Sequence, residues 1–172
     1  MPEAVIRNRH VEPERWRFLG VAPDTVPEEL PRGPIAVPLE AWRQRRAELG
    51  ARTEPVGVWL SPDDDPRALA CDLARLAFIA VHFPRFTDGR GYSIASLLRQ
   101  RHGYRGELRA FGDIGRDQLF YLARVGFDSY RLAAHHDPHA ALGAFDDFSV
   151  RYQGAVDEPL PLFRRRDLGF AP

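Results

Sequence analysis

FIAVHFPRFTDGRGYSIASLLRQRHGYRGELRAFGDIGRDQLFYLARVGFDSYRL, Phe78 to Leu132, is the stretch that decides the fold. It opens on an apolar run, Phe78 to Phe83, whose length and composition suit a strand covered on both faces. A helical pattern, IASLLRQR, follows a glycine-rich turn; Ser93 stands where a cap would, and Gly103 supplies a left-handed stop. The cycle then repeats. Leu108 to Phe111 reads as the next strand, Asp113 is placed to cap GRDQLFYLAR, Gly126 ends that helix, and Phe127 to Leu132 reads as a further strand. Helices between consecutive strands act as crossovers, and crossovers make the strands parallel.

The same rhythm extends outward. Upstream lie candidate strands Ile35 to Val37 and Val56 to Leu60, a helix from Leu39 to Leu49 stopped by Gly50, and a helix PRALACDLARL opened by Asp65 and Pro66. Downstream, Asp137 and Pro138 repeat that device before HAALGAFDDFSVRY. The chain therefore reads as an α/β domain with a mostly parallel sheet of about five strands and crossover helices. The pattern leaves two architectures open, an open sheet or a truncated βα barrel; a curled sheet of so few strands exposes edges that a second copy could cover as a homodimer. AVIR, at the start, can add an antiparallel strand at one edge. Residues 1–153 form one domain in this reading, with 1–33 an irregular or edge element pinned by Trp16 and Phe18 and 154–172 a mobile tail.

Three blocks within this region, FPRFTDGRGYS, GELRAFGD, and RDQLFYL followed by GFD, resemble the signature blocks of a bacterial family, domain of unknown function 934. The similarity runs from about Pro55 to Gln153, with a weaker match before it. Members are generally labelled oxidoreductases of sulfite reduction, a label that implies a pathway by association with sulfite-assimilation enzymes. Relatives often carry a Cys where this chain has Val125, so a thiol role there is lost.

Composition narrows the chemistry. The 24 basic residues balance 24 acidic ones, which gives no field to recruit nucleic acid or an anionic membrane. Every basic residue is Arg, so a phosphate-binding P-loop lysine and Schiff-base catalysis are both excluded. A single cysteine, Cys71, excludes an intrachain disulfide, a dithiol pair and a cysteine-held iron–sulfur cluster; its apolar surroundings suggest a small buried residue. With no membrane-length apolar run and no signal core behind MPEAVIRNRH, the expected location is the cytoplasm.

In a parallel sheet the loops after Phe83 and after Phe111 leave the same rim. Arg85, Asp88, Arg90 and Tyr92 from one loop, with Asp113, Arg116, Asp117 and Gln118 from the other, then form a candidate ligand site, with Arg90 and Arg116 as forks for an oxyanion. The same residues could equally build turns, caps and an Asp88–Arg116 loop-fixing pair. Glu107 and Arg109 read as a strand-start ion pair. His82 interrupts an apolar run and is either a hydrogen-bonded core residue or the one candidate acid or base near the rim. His135, His136, Asp137 and His139 have a superficially metal-like spacing, but Asp137 is needed to start a helix, so no metal is expected. GRGYS lacks the third glycine of a dinucleotide fingerprint, and the cofactor stays unknown. The functional expectation is an accessory protein or oxidoreductase of assimilatory sulfite reduction, working beside sulfite reductase through Phe145, Phe148, Tyr152 and Phe163. Two alternatives stand: a small enzyme for a sulfur oxyanion or sulfonucleotide, or a dimeric scaffold.

Overall fold

The computed structural model describes residues 3–167. The N-terminal region supplies β1 (Ala4–Arg7), β2 (His10–Pro13) and β3 (Arg17–Phe18); β4 (Ile35–Pro38), β5 (Val56–Leu60), β6 (Phe78–Phe83), β7 (Glu107–Gly112) and β8 (Ser129–Arg131) follow. All eight join one sheet in the order β2-β1-β8-β7-β6-β5-β4-β3. Neighbours from β3 to β8 are parallel, and β1 is antiparallel to both β8 and β2. The α/β reading holds, but eight strands replace the expected five. The three additions among the described residues all come from the first eighteen: AVIR, offered by the sequence as an edge strand, and β2 and β3, too short and polar to give an apolar run. AVIR does pair antiparallel, though β2 lies outside it and takes the edge.

Because β3 to β8 follow one another in sequence order, right-handed crossovers put the helices on one face. Val58, Ile79, Val81, Leu108, Ala110 and Tyr130 turn to that face and join the larger core with residues of the helices. The intervening residues face the other way: Ala36, Trp59, Phe78, Ala80 and Phe111 form a second cluster, covered by Trp16, Phe18 and Val21. Position 57, paired with Ala36, is on this inner face, and it is glycine because a Cβ there would stand 2.2 Å from the Phe78 ring.

The sheet is curled around that second cluster. Strands sit about 4.8 Å apart, so β3 and β8, five places apart in the order, would be separated by about 24 Å if the sheet were flat. Yet the Arg131 guanidinium of β8 lies 4.3 Å from the Phe18 ring of β3, and Phe18 meets Phe111 of β7 at 4.6 Å. Trp16 adds a 4.3 Å contact to Phe78. The aromatic side chains of the N-terminal segment fill the space the curl creates.

At the amino end of the inner face sits an ion-pair cluster. Arg109 donates to both oxygens of Glu14 at 2.8 and 2.7 Å, to Glu107 Oε1 at 2.6 Å and to Ser129 Oγ at 2.9 Å, and lies over the Phe78 ring. Its side chain is only 2% exposed. The expected Glu107–Arg109 pair exists, but Glu14 is the partner that ties the N-terminal segment across the sheet.

The helices are shorter than their sequence patterns. α1 (Leu39–Gln44) and α2 (Arg46–Gly50) divide the expected single helix. The segment opened by Asp65 and Pro66 makes only a 3₁₀ turn, Pro66–Leu69, then a chain of turns closed by Asp72 N–H to Leu69 and Arg75 N–H to Asp72. Asp72 is turned inward to accept from Trp42 Nε1 at 3.0 Å and from Arg46, which holds the turns against α1 and α2. Cys71 beside it is exposed, against the expectation of burial. α3 (Arg90–Ser96) continues as a π-helical turn, Leu97–Arg101, and α4 is Leu119–Arg124. Arg99 on the π turn donates to the carbonyls of Gly126, Tyr104 and Gly106 and to Asp128, so the widened turn holds the chain ends around β7 together. The last long helix shrinks to α5 (Pro138–Ala141) and a 3₁₀ turn to Asp146. Beyond Gln153 the chain places Val156 N–H on Arg124 O, then forms α6 (Leu162–Asp167) with Leu162 buried. Among the described residues no helix is long and apolar enough to cross a membrane.

Arg109→Ala leaves Glu14 and Glu107 buried without their shared cation, and is expected to lower unfolding free energy in a urea titration by about 3–5 kcal/mol.

Candidate functional site

The two loops singled out in the sequence do lie side by side. Phe86 N–H donates to Asp113 Oδ2 at 2.9 Å, and Gln118 Nε2 donates to Phe86 O at 3.2 Å. Asp113 therefore fixes the neighbouring loop and does not cap its own helix. That helix opens as a 3₁₀ turn, Arg116–Gln118, with Gln118 Oε1 accepting from Gly115 N–H at 3.1 Å. Ser93 is likewise not the cap of α3: the helix starts three residues earlier, with Gly89 at the cap position and Asp88 Oδ1 accepting from Arg90 N–H at 3.2 Å.

The guanidinium groups of the two loops do not converge. Arg90 is bidentate on Asp88, at 3.0 and 2.8 Å, and also binds Asp63 on the loop after β5. Arg90 holds the Asp88 carboxyl below the ordinary carboxylate range. Arg116 is bidentate on Asp147, at 3.0 and 2.8 Å, so the Asp88–Arg116 pair does not form. Arg85 and Asp117 are exposed and make no side-chain hydrogen bond among the described residues. Tyr92 packs edge-on against Phe83 at 5.6 Å, and burial raises its phenol pKa. Arg90 and Ser93 also line a cleft of about 480 Å³ with Arg67, Arg101 and His102.

A different group of side chains meets on the inner face at the carboxyl ends of the strands. His82 of β6, Phe111 of β7 and Arg131 of β8 share one row of the sheet, paired His82 with Phe111 and Phe111 with Arg131. His82 stacks on Phe111 at 4.8 Å and meets the edge of Trp59 at 5.8 Å. It makes no hydrogen bond among the described residues, contrary to the core-histidine reading. Burial, aided by the charge of Arg131, lowers its pKa. Arg131 lies over both Phe18 and Phe111 and binds the exposed carboxylate of Glu3 at 3.2 Å. Arg131, but not His82 or Phe111, lines a cleft of about 610 Å³ with Glu3, Gly112, His136 and Asp137. The carboxyl-end mouth is where curled βα sheets assemble ligand sites from successive loops. Sequence reading named His82 but missed Arg131. The available signal was its placement: alternation from buried Tyr130 puts Arg131 on the inner face, in register with Phe111.

The family described as bacterial protein of unknown function, DUF934, matches residues 57–163, which carry β5 to β8 and both loops. The chain belongs to the DUF934 family. No curated protein and no solved structure matches it. The matched range holds His82, Arg131 and Asp113 but not Glu3, Glu14 or Phe18, so the N-terminal cover of the inner face lies outside it.

Two measurements follow from this geometry. Arg90→Ala and Arg116→Ala remove exposed ion pairs, each costing less than about 1 kcal/mol, while Gln118→Leu strands the Phe86 carbonyl and Gly115 N–H and costs about 1–3 kcal/mol in urea unfolding. His82 titrates below its ordinary 6.5 in the folded state. Above that pH both states hold a neutral ring; as pH falls through it the unfolded chain takes the proton first, so stability declines. His82→Phe is expected to flatten the fall in melting temperature between about pH 6.5 and pH 5.

Proposed function

We propose that this DUF934 protein serves assimilatory sulfite reduction as an accessory of a sulfite reductase or another sulfur-assimilation enzyme, acting by docking on it. The pathway comes from the resemblance of its three sequence blocks to proteins labelled with that role. A single cysteine in 172 residues supports an accessory role over independent multi-electron catalysis, since one thiolate cannot hold an iron–sulfur cluster within the chain.

The observation that carries the docking part is a belt of exposed aromatic side chains along α4 and the segment after it. Phe148, 49% exposed, packs at 4.7 Å on Phe120 and lies near Tyr121, itself 53% exposed. Tyr152 and Phe163 form a second exposed aromatic pair, their rings 6.5 Å apart. Folded chains seldom leave this much aromatic surface in water without a partner for it. Phe145, grouped with these residues in the sequence, is instead buried against Tyr130 and belongs to the core. Arg164 and Arg166 of α6 flank Phe163 and have no carboxylate partner among the described residues, which suits a partner with an apolar groove rimmed by acidic side chains.

The tagged protein, used as bait in native lysate at low salt, is expected to retain an enzyme of sulfur assimilation, and Phe148→Ser with Tyr152→Ser to release it without changing the circular dichroism spectrum. A deletion strain should grow on sulfide and fail on sulfate and sulfite. Recovery of the bait's own second copy alone, or normal growth on sulfite, overturns the reading.

A further inference from the structure

Each of the two most buried arginines spends its guanidinium on protein acceptors. Arg99 reaches three carbonyls and Asp128, and Arg109 reaches Glu14, Glu107 and Ser129. Burying a guanidinium costs several kcal/mol, and these bonds offset it. Arg131 departs from that pattern. Its side chain is only 20% exposed, yet of its N–H donors one alone finds an acceptor among the described residues, Glu3 Oε2 at 3.2 Å.

The surroundings of Arg131 add to the contrast. The rings of Phe18 and Phe111 hold its guanidinium from one side, at 4.3 and 5.2 Å, which fixes the direction in which the fork can receive a ligand. On the far side of Phe111 stands His82, without a hydrogen-bond partner among the described residues. Arg131, unlike His82, lines a cleft with a volume of about 610 Å³, ample for a small organic or inorganic anion. Its other charged or titratable lining residues are Glu3, His136, Asp137 and His139. Glu3 shows what Arg131 accepts: a carboxylate, brought by a side chain 70% exposed and therefore readily displaced.

We propose that the mouth of the curled sheet is a binding site for a small molecule with one carboxylate or oxyanion head, held by Arg131 in the cleft it lines, with Glu3 as the internal occupant that the ligand displaces. This goes beyond the docking role, which rests on a different surface. Arg131 supplies the fork for two oxygens, and His82, across the Phe111 ring, senses the occupancy because a bound anion offsets the Arg131 charge that helps lower its pKa.

Ring signals of His82 in the full chain, followed by nuclear magnetic resonance, report neutralisation of the Arg131 charge when acetate, phosphate and sulfite are titrated separately. At least one probe is expected to give a saturable shift of the His82 ring and to raise its pKa, acetate marking a carboxylate site and phosphate or sulfite an oxyanion site. Glu3→Gln, on an exposed side chain, should tighten that probe about two- to fivefold by removing the competitor, and Arg131→Gln should abolish the shift. A His82 ring indifferent to all three probes overturns the proposal, as does an affinity unchanged by Glu3→Gln; either result leaves the lysate capture untouched, so the two readings fail separately.

Discussion

A sheet whose parallel strands follow one another in sequence order receives its helices on one face, and its other face must find cover elsewhere. In this protein curvature and the N-terminal segment meet that need together. The curl brings β3 within reach of β8, and Trp16 and Phe18 fill the concavity so formed. Glu14 then locks the segment in place by bonding Arg109 across the inner face. Without that anchor the apolar cluster of Ala36, Trp59, Phe78, Ala80 and Phe111 would face water. The outer core, the row containing His82 and the register of β8 all presuppose the closed inner face.

The parallel core was legible because its strands are apolar on both faces. Val56 to Leu60 and Phe78 to Phe83 are read correctly to the residue, since a continuous apolar run bounded by turns has few other uses. β2 and β3 escaped notice because HVEP and RF are too short and too polar to produce a periodic signal; they are strands only by virtue of the neighbours they pair with. Helix lengths were overread for a similar reason. PRALACDLARL has good helical composition, but Asp72 is drawn into the interior by Trp42 and Arg46, and the chain winds in three-residue turns to deliver it. For the site, adjacency of the two loops could be inferred from parallel topology, whereas the partners of Arg90 and Arg116 could not. Asp63 and Asp147 lie 27 and 31 residues away in sequence, and no local spacing announces them.

With no lysine in the chain, arginine carries every permanent side-chain positive charge, and the molecule uses it in three distinct ways. On the rim, Arg90 and Arg116, themselves exposed, clamp loops through Asp63, Asp88 and Asp147, a use that contributes little stability but sets loop shape. In the interior, Arg99 and Arg109 gather acceptors from several chain segments, a task for which five donors in a rigid plane suit guanidinium better than an ammonium group. At the mouth, Arg131 rests on aromatic rings with most of its donors unspent. The first two uses account for their charges completely within the protein; the third does not.

β8 is where the mouth and the outer surface meet. Tyr130 turns outward to pack on Phe145 at 5.3 Å, beneath the segment that carries Phe148, while the next residue, Arg131, turns inward to the cleft. The strand is held on one side by β7 and on the other by β1, through Ile6 with Tyr130 and Arg7 with Ser129. Glu3 lies one residue before β1, outside those paired positions. Releasing it from Arg131 breaks one exposed ion pair and leaves the register of β1 on β8 intact, so an anion can enter the mouth without disturbing the foundation on which the aromatic belt stands.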